Sequence, residues 1–422
     1  MMTRQQFPLA YRRALVSLWV VLAALNLSAC KRAEPSAAAT ARGAADATRP
    51  GSSRVRVFLE DCEFAGWSMI AGGTFLHLVA RASNSNPRVL AVHVPSDGRI
   101  DFTTSGHGDR AYGEWPQSAW LQTLTDATTG TYEFARWDGT TWTRDPAMAP
   151  SVMGMLPWRN GTLLRVERHD PNGTRLSVQN DLRLSAELRV PTEMARFNAS
   201  EMFTLSKSGI ALMTGAVDEQ AGYTILAGSI AAVLHNSVGS STGTASSSCE
   251  RIIFSQWTDA TAENPAPRAR AVRIREGRVE PGEDLPAEPA HFAIDRLCHE
   301  WLVSTDGALF EKASLSAGWQ RVALGHEGKR EESTALAALG DRVWVAIGAT
   351  LYVVHAGKAE KVDVPLSAGQ NGASFLLGSD EQADRLWLNV IPVNEKRGTM
   401  LTTGPVHQKM RCDELAERFP SK

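Results

Sequence analysis

The residues of this 422-residue chain whose chemistry could be put to use are few and scattered: five cysteines, ten histidines and one short serine pattern. Gly239-Ser240-Ser241-Thr242-Gly243 has the Gly-x-Ser-x-Gly spacing of a nucleophile elbow, in which a serine is held on a tight turn between a strand and a helix. The tract that continues to Ser248 is built of Ser, Thr, Gly and Ala with no helical period, so it reads as an exposed loop. Cys298-His299-Glu300 sets three potential metal ligands in a row, but a zinc site needs three or four converging ligands, and no second spaced pair accompanies them. His291 and His299 stand near Asp295 and Glu300, the residue types of a general acid–base pair, on segments that read as strands or turns. There is no His-Glu-x-x-His and no phosphate-binding loop. These patterns point to no catalytic residue, no metal and no cofactor, and an enzymatic role is the less favoured reading.

The aromatic residues are more informative. Trp115, Trp120, Trp137, Trp142 and Trp158 fall within 44 residues of one another. Large aromatics bury the most area, so packing between sheet units is the first reading and a stacking platform for sugars or aromatic ligands the second. After Cys30, the cysteines are Cys62, Cys249, Cys298 and Cys412. Four cysteines allow three connectivities. Cys62–Cys412 with Cys249–Cys298 is favoured if the chain closes on itself, because the first pair then sits at the two ends of the repeats; four buried thiols are the alternative. With 44 basic against 46 acidic residues there is no basic surplus of the kind nucleic acid attracts, and 43% hydrophobic residues exclude a wholly disordered chain.

The elements that must hold these residues repeat. Glu300-Trp301-Leu302-Val303, Val343-Trp344-Val345-Ala346 and Leu386-Trp387-Leu388-Asn389 share one pattern, with 43 residues between successive tryptophans. Continuing backwards gives anchors at Trp257, Leu212, Leu164, Trp120 and Leu76, with spacings of 43 to 48 throughout. A second strand-like run follows most anchors, as in Val89–Val94, Thr131–Trp137 and Thr350–Val354. Ser96-Asp97-Gly98, Trp137-Asp138-Gly139, Arg159-Asn160-Gly161 and Thr305-Asp306-Gly307 supply hairpin turn chemistry. A further run precedes each of the last three anchors: Phe292–Ile294, Ala335–Ala337 and Ser374–Leu377. No stretch after residue 30 has a long 3.6-residue period; Glu331–Leu339 and Asp413–Phe419 could each form a short helix.

Period, short strands and turns together resemble a β-propeller of seven or eight four-stranded blades over residues 54–412, followed by a C-terminal tail at 413–422. A pair of β-sandwich domains is the alternative. Neither the Trp-Asp repeat signature nor the kelch double glycine recurs; Trp137-Asp138 and Gly72-Gly73 each stand alone. Ser304-Thr305-Asp306-Gly307 resembles the Asp-box of sialidase-like propellers but is one residue short.

The N-terminus carries an address. Arg4, Arg12 and Arg13 precede sixteen uncharged residues, and the run ends Leu27-Ser28-Ala29-Cys30. This resembles the lipobox of bacterial lipoproteins. The resemblance implies a signal peptide at 1–29, acylation of Cys30, and a lipid anchor in the cell envelope; Lys31 is the residue type associated with sorting to the outer membrane. Residues 30–53, rich in Ala, Thr, Ser, Arg and Pro, read as a flexible tether. The expectation is a lipid-anchored propeller that binds a protein or glycan partner, facing either the periplasm or the cell surface. An envelope assembly scaffold, or a hydrolase or lyase at the channel mouth, are the alternatives.

Overall fold

The computed structural model describes residues 54–80, 88–126, 131–146, 148, 152–157, 163–169, 173–180, 183–189, 199–205, 209–214, 221–227, 230–236, 243–246, 249, 251–257, 269–275, 278–280, 283–325, 333–365 and 373–419. Their strands form eight four-stranded antiparallel units in chain order, the blades of a propeller.

The first strand, β1 (Arg56–Ile70), is long enough to serve two blades. Its second half begins blade 1, which continues through β2 (Gly73–Ala80), β3 (Arg88–Pro95) and β4 (Asp101–His107). Blade 2 is β5 (Arg110–Tyr112), β6 (Trp120–Asp126), β7 (Thr131–Trp137) and β8 (Trp142–Arg144). Blade 3 is β9 (Val152–Pro157), β10 (Leu163–His169), β11 (Gly173–Asn180) and β12 (Arg183–Arg189). Blade 4 is β13 (Ala199–Leu205), β14 (Gly209–Thr214), β15 (Ala221–Ala227) and β16 (Ile230–Asn236). Blade 5 is β17 (Gly243–Ser246), β18 (Arg251–Trp257), β19 (Ala269–Arg275) and β20 (Arg278–Glu280). Blade 6 is β21 (Pro289–Ile294), β22 (Glu300–Ser304), β23 (Leu309–Lys312) and β24 (Gln320–Val322). Blade 7 is β25 (Thr334–Leu339), β26 (Arg342–Ile347), β27 (Thr350–His355) and β28 (Lys358–Val362). Blade 8 holds β29 (Ser374–Asp380), β30 (Arg385–Ile391) and β31 (Arg397–Thr402), and takes its fourth strand from the first half of β1.

All eight anchors lie in the second strand of a blade. Their registers differ. Trp301, Trp344 and Trp387 stand two or three residues into their strands, whereas Trp120 opens β6 and Trp257 closes β18. A second strand is covered on both faces by neighbouring blades, so Val343 to Ile347 are buried without a break. The outer β28 is partly solvated and reads Lys-Ala-Glu-Lys-Val, with three exposed charged residues. The first strands of blades 4 to 8 pack successively against one another, as do those of blades 1 to 3. They carry small side chains where they crowd together: Ala293, Ala335, Ala337 and Ala338 are buried, and a Cβ on Gly378 would meet the Trp67 ring at 2.5 Å. Gly139 and Gly307 adopt positive φ in the hairpin turns read from sequence. The described part of the stretch read as a possible helix at Glu331–Leu339 is not helical: Thr334–Leu339 is β25, paired with Arg342–Ile347, as the strand-like run read at Ala335–Ala337 requires. Pairing to a neighbour overrides the helix preference of an Ala- and Leu-rich stretch.

Closure of the ring is reinforced outside the fourth strand. The two-residue strand β32 (Met410–Arg411) runs parallel to Leu59–Glu60, and helix α1 (Cys412–Glu417) follows it against β1 and β2. Leu415 is fully buried with Phe58, Leu59 and Trp387. Arg397 and Arg411 both reach Asp61, at 2.8 and 3.1 Å, and Arg397 also meets Asp413. The Sγ atoms of Cys62 and Cys412 stand at bonding distance, as do those of Cys249 and Cys298, with Cα separations of 5.2 and 5.6 Å. Replacing Cys62 and Cys412 together by Ala is expected to lower stability by about 2–4 kcal/mol, since the link restrains a very long loop of the unfolded chain. Urea unfolding under non-reducing conditions measures this, and an unchanged midpoint would show that the strand and helix close the ring unaided.

Candidate functional site

The histidines and carboxylates singled out in sequence are divided among separate structural tasks. Asp295 directly follows β21 and accepts the Leu297 and His299 amides on Oδ1, each at 2.9 Å, and the Trp301 indole N–H on Oδ2 at 3.0 Å. It shapes the turn and pins the blade-6 tryptophan. His299 Nδ1 pairs with Glu311 at 3.0 Å and also approaches Asp295 Oδ2 at 3.5 Å, so His299 and Asp295, both read from sequence, do meet. His291 Nε2 meets the Thr334 carbonyl at 2.8 Å, joining blade 6 to blade 7, and burial lowers its pKa. Ser304 and Asp306 bond each other within a turn, where Ser304 Oγ also accepts the Ala308 amide. Glu300 is 1% exposed and belongs to an ionic cluster between blades 5 and 6. Gly239–Thr242 lies outside the described residues, and Gly243 begins β17. Cys30, the signal peptide, the tether and Trp158 are also outside them.

That ionic cluster was not read from sequence. Arg273 clasps Glu300 through Nε and Nη2, at 2.8 and 2.6 Å, and Nη2 also reaches Glu283 at 2.8 Å. Arg251 Nη1 donates to Glu300 Oε1, the oxygen that also accepts from Arg273 Nε, at 3.0 Å and to the Cys298 carbonyl at 3.2 Å. Lys312, 1% exposed, ties Glu283 at 3.0 Å and the Ala317 carbonyl. Burial works to lower the Arg273 pKa, but the bonds from Glu300 and Glu283 outweigh it and raise the value. Burial likewise works to raise the Glu283 pKa, and its bonds from Lys312 and Arg273 hold it below the usual carboxylate range.

A serine–histidine pair was also missed. Ser68 Oγ and His77 Nε2 are 2.8 Å apart, and His77 Nδ1 meets the Gly108 carbonyl at 2.8 Å. Both side chains are buried, and Ser68 Oγ accepts the Ala111 amide at 2.9 Å. The pair therefore ties the strands of blade 1 to the start of blade 2 and presents no nucleophile to solvent. His93 stacks on Phe75 with ring centroids 4.6 Å apart and meets Thr104 Oγ1 at 2.7 Å. Burial, the largest cause in each case, lowers the pKa of His77 and of His93 to about 4. The available signal was positional: both histidines interrupt apolar runs in strands covered on both faces.

The tryptophans divide the same way. Trp115, Trp137 and Trp142 join Phe75 and His93 in one aromatic seam between blades 1 and 2. Trp120 packs instead with Tyr112, Phe134 and Met148. Packing is thus the main employment of this group.

Beside that seam blade 2 opens a cleft of about 520 Å³. Pro116 and Gln117 come from the β5–β6 turn, Arg136 to Gly139 from the end of β7 and its hairpin, and Thr143 to Pro146 from β8 and beyond. Arg136 is half-buried, its guanidinium 5.8 Å from the Trp120 ring centre. Arg144 reaches away to Glu133 at 2.9 Å. Asp138 Oδ1 accepts the Thr140 and Thr141 amides, each at 2.8 Å, and these bonds hold its carboxyl below the usual range. The size is that of a ligand site, and the lining sets Arg136 and Arg144 with Asp138 and Asp145 among the neutral Gln117 and Thr143 and two prolines, Pro116 and Pro146.

No family profile matches the sequence, and no curated protein matches it. Among solved structures the chain is similar to BamB from Moraxella catarrhalis, at 11% identity over 84% of this chain and 99% of that one, with a TM-score of 0.49. It is also similar to the β-propeller domain of the Trilobed protease from Pyrococcus furiosus, at 10% identity over 82% and 95%, with a TM-score of 0.45. For YCF48 from Cyanidioschyzon merolae the figures are 13%, 69% and 92%, with a TM-score of 0.40. These are likenesses of fold.

Proposed function

We propose that this chain is a lipid-tethered, non-catalytic propeller of the bacterial envelope that binds a protein partner. The observation that carries the reading is the contrast within blades 1 and 2. The reactive residue types, Ser68, His77 and His93, are buried, while the adjoining open cleft is lined by groups suited to recognition. The N-terminal pattern Leu27-Ser28-Ala29-Cys30 supports the tether, and Lys31 supports an outer-membrane destination. Among the described residues no helix is long and apolar enough to cross a membrane. Acyl chains, each gaining about 0.8 kcal/mol per buried CH₂, would hold the protein on the bilayer through Cys30.

Two measurements test this. The wild-type protein is expected in the membrane fraction and the Cys30→Ala variant in the soluble fraction; equal membrane association would remove the lipid tether. Cross-linking in intact envelopes followed by affinity isolation is expected to give a stoichiometric protein partner. Recovery of the propeller alone, together with turnover on a hydrolase or lyase substrate panel, would replace binding with catalysis.

A further inference from the structure

The cleft of blade 2 has a chemical demand that the described parts of the molecule do not meet. Arg136 is half-buried, its guanidinium faces the Trp120 ring, and no carboxylate of the described residues lies within 4 Å of it. The other charged groups around it are differently placed. Arg144 is engaged by Glu133, and Asp138 has one carboxylate oxygen bonded to Thr140 and Thr141 at the exposed rim. A planar guanidinium is matched to a carboxylate by two parallel hydrogen bonds, and partial desolvation strengthens them.

We propose that this cleft receives a single carboxylate side chain from an extended segment of a protein partner, with Arg136 as its bidentate donor and Pro116 and Pro146 as the walls. The inference rests on the reading of the chain as a partner-binding propeller and gives that binding a site and a chemistry. Two observations narrow the ligand. The lining holds two arginines against Asp138 and Asp145, with Glu133 close by, so it offers one fork rather than a basic field for a polyanion. Trp137, the one aromatic side chain among the lining residues, is 6% exposed and turned into the aromatic seam, so the described lining offers a sugar ring no flat face to stack on.

The test uses fluorescein-labelled nonapeptides identical except for a single central Glu, Asp, Gln or Asn, titrated to millimolar concentration against the mature chain and followed by anisotropy. The Glu and Asp peptides are expected to bind at least tenfold more tightly than their amide counterparts. Arg136→Gln is expected to abolish that preference at an unchanged melting temperature, and Arg136→Lys to restore part of it. Equal binding of Glu and Gln peptides, or no binding by any of the four, overturns the proposal. So does Arg136-dependent binding shown by trigalacturonate alone, which would make the ligand an acidic glycan. If the Arg136→Gln protein still captures its envelope partner as the wild type does, the cleft assignment fails while the binding function stands.

Discussion

Replacing Glu300 with Ala is expected to destabilise the protein by about 3–5 kcal/mol, because in the seam between blades 5 and 6 it leaves Arg251 with no carboxylate among the described residues and Arg273 with Glu283 alone. Arg251 and Arg273 are 8% and 5% exposed and both converge on Glu300. Each charge was taken out of water on condition that the carboxylate neutralise it. Glu300→Gln retains the shape but not the charge and is expected to lose somewhat less. Glu283 offers the internal comparison: its side chain is 38% exposed, so water can replace part of what Glu283→Ala removes for Arg273 and Lys312, and the cost is expected to be clearly smaller. Urea unfolding of the three variants gives the ranking. A Glu300→Ala loss below about 1 kcal/mol would mean that the seam relaxes or hydrates, and that the cluster does not hold blades 5 and 6 together. A double-mutant cycle between Glu300 and Arg273 should show strong coupling, since Arg273 makes two distinct bonds to that carboxylate.

Mild acid should act on a different part of the ring. His77 and His93 have pKa values of about 4 in the folded protein, against 6.5 for an unperturbed imidazole. Between those values the unfolded chain binds protons that the folded chain does not. The stability these neutral histidines contribute is therefore fully present above pH 6.5 and is lost as pH falls towards 4. The limit is about 3 kcal/mol for each histidine, since every tenfold change in proton affinity is worth about 1.4 kcal/mol. For His77 burial and the nearby Arg110 charge both oppose protonation, and only the Gly108 carbonyl favours it. For His93 burial outweighs the attraction of Asp101 and Asp97. Unfolding free energies measured at pH 7 and pH 4.5 should differ by several kcal/mol in the wild type. His77→Asn and His93→Gln should each be weaker at pH 7 yet show a shallower slope. A wild type equally stable at both values, or variants with the full slope, would contradict the assignment. Both histidines lie in blade 1, whose first strand continues from the closing strand of blade 8 and which borders the cleft, so acid should loosen the ring first at blades 1 and 2.

How much of this was legible in the chain follows from the range of each interaction. The 43 to 48 residue period, the tryptophan and leucine anchors and the Asp-Gly turns were readable because a blade is a local meander. Its strands alternate and its turns need particular residues, whatever the rest of the chain does. The sharing of β1 between blades 8 and 1 was not readable, because nothing in Arg56–Ile70 marks Glu63 as the place where pairing passes from β31 to β2. Over Thr334–Leu339 the sequence allowed both a strand at Ala335–Ala337 and a short helix, and the strand is what forms, because its partner, not its composition, decides between them.

The sites divide in the same way. Sequence alone determined which cysteines were available, where the turns stand and that the tryptophans outnumber any evident chemical need. Only the tertiary structure decided that Arg251, Arg273, Glu283, Glu300 and Lys312 form one cluster, that Ser68 and His77 meet out of reach of solvent, and that Arg136 is left with no carboxylate partner among the described residues. Those outcomes depend on distances across the seams between blades and on which side of a strand is covered. A repeat period specifies how each unit folds, whereas the charge and burial of a residue at a seam are set by the neighbouring unit packed against it.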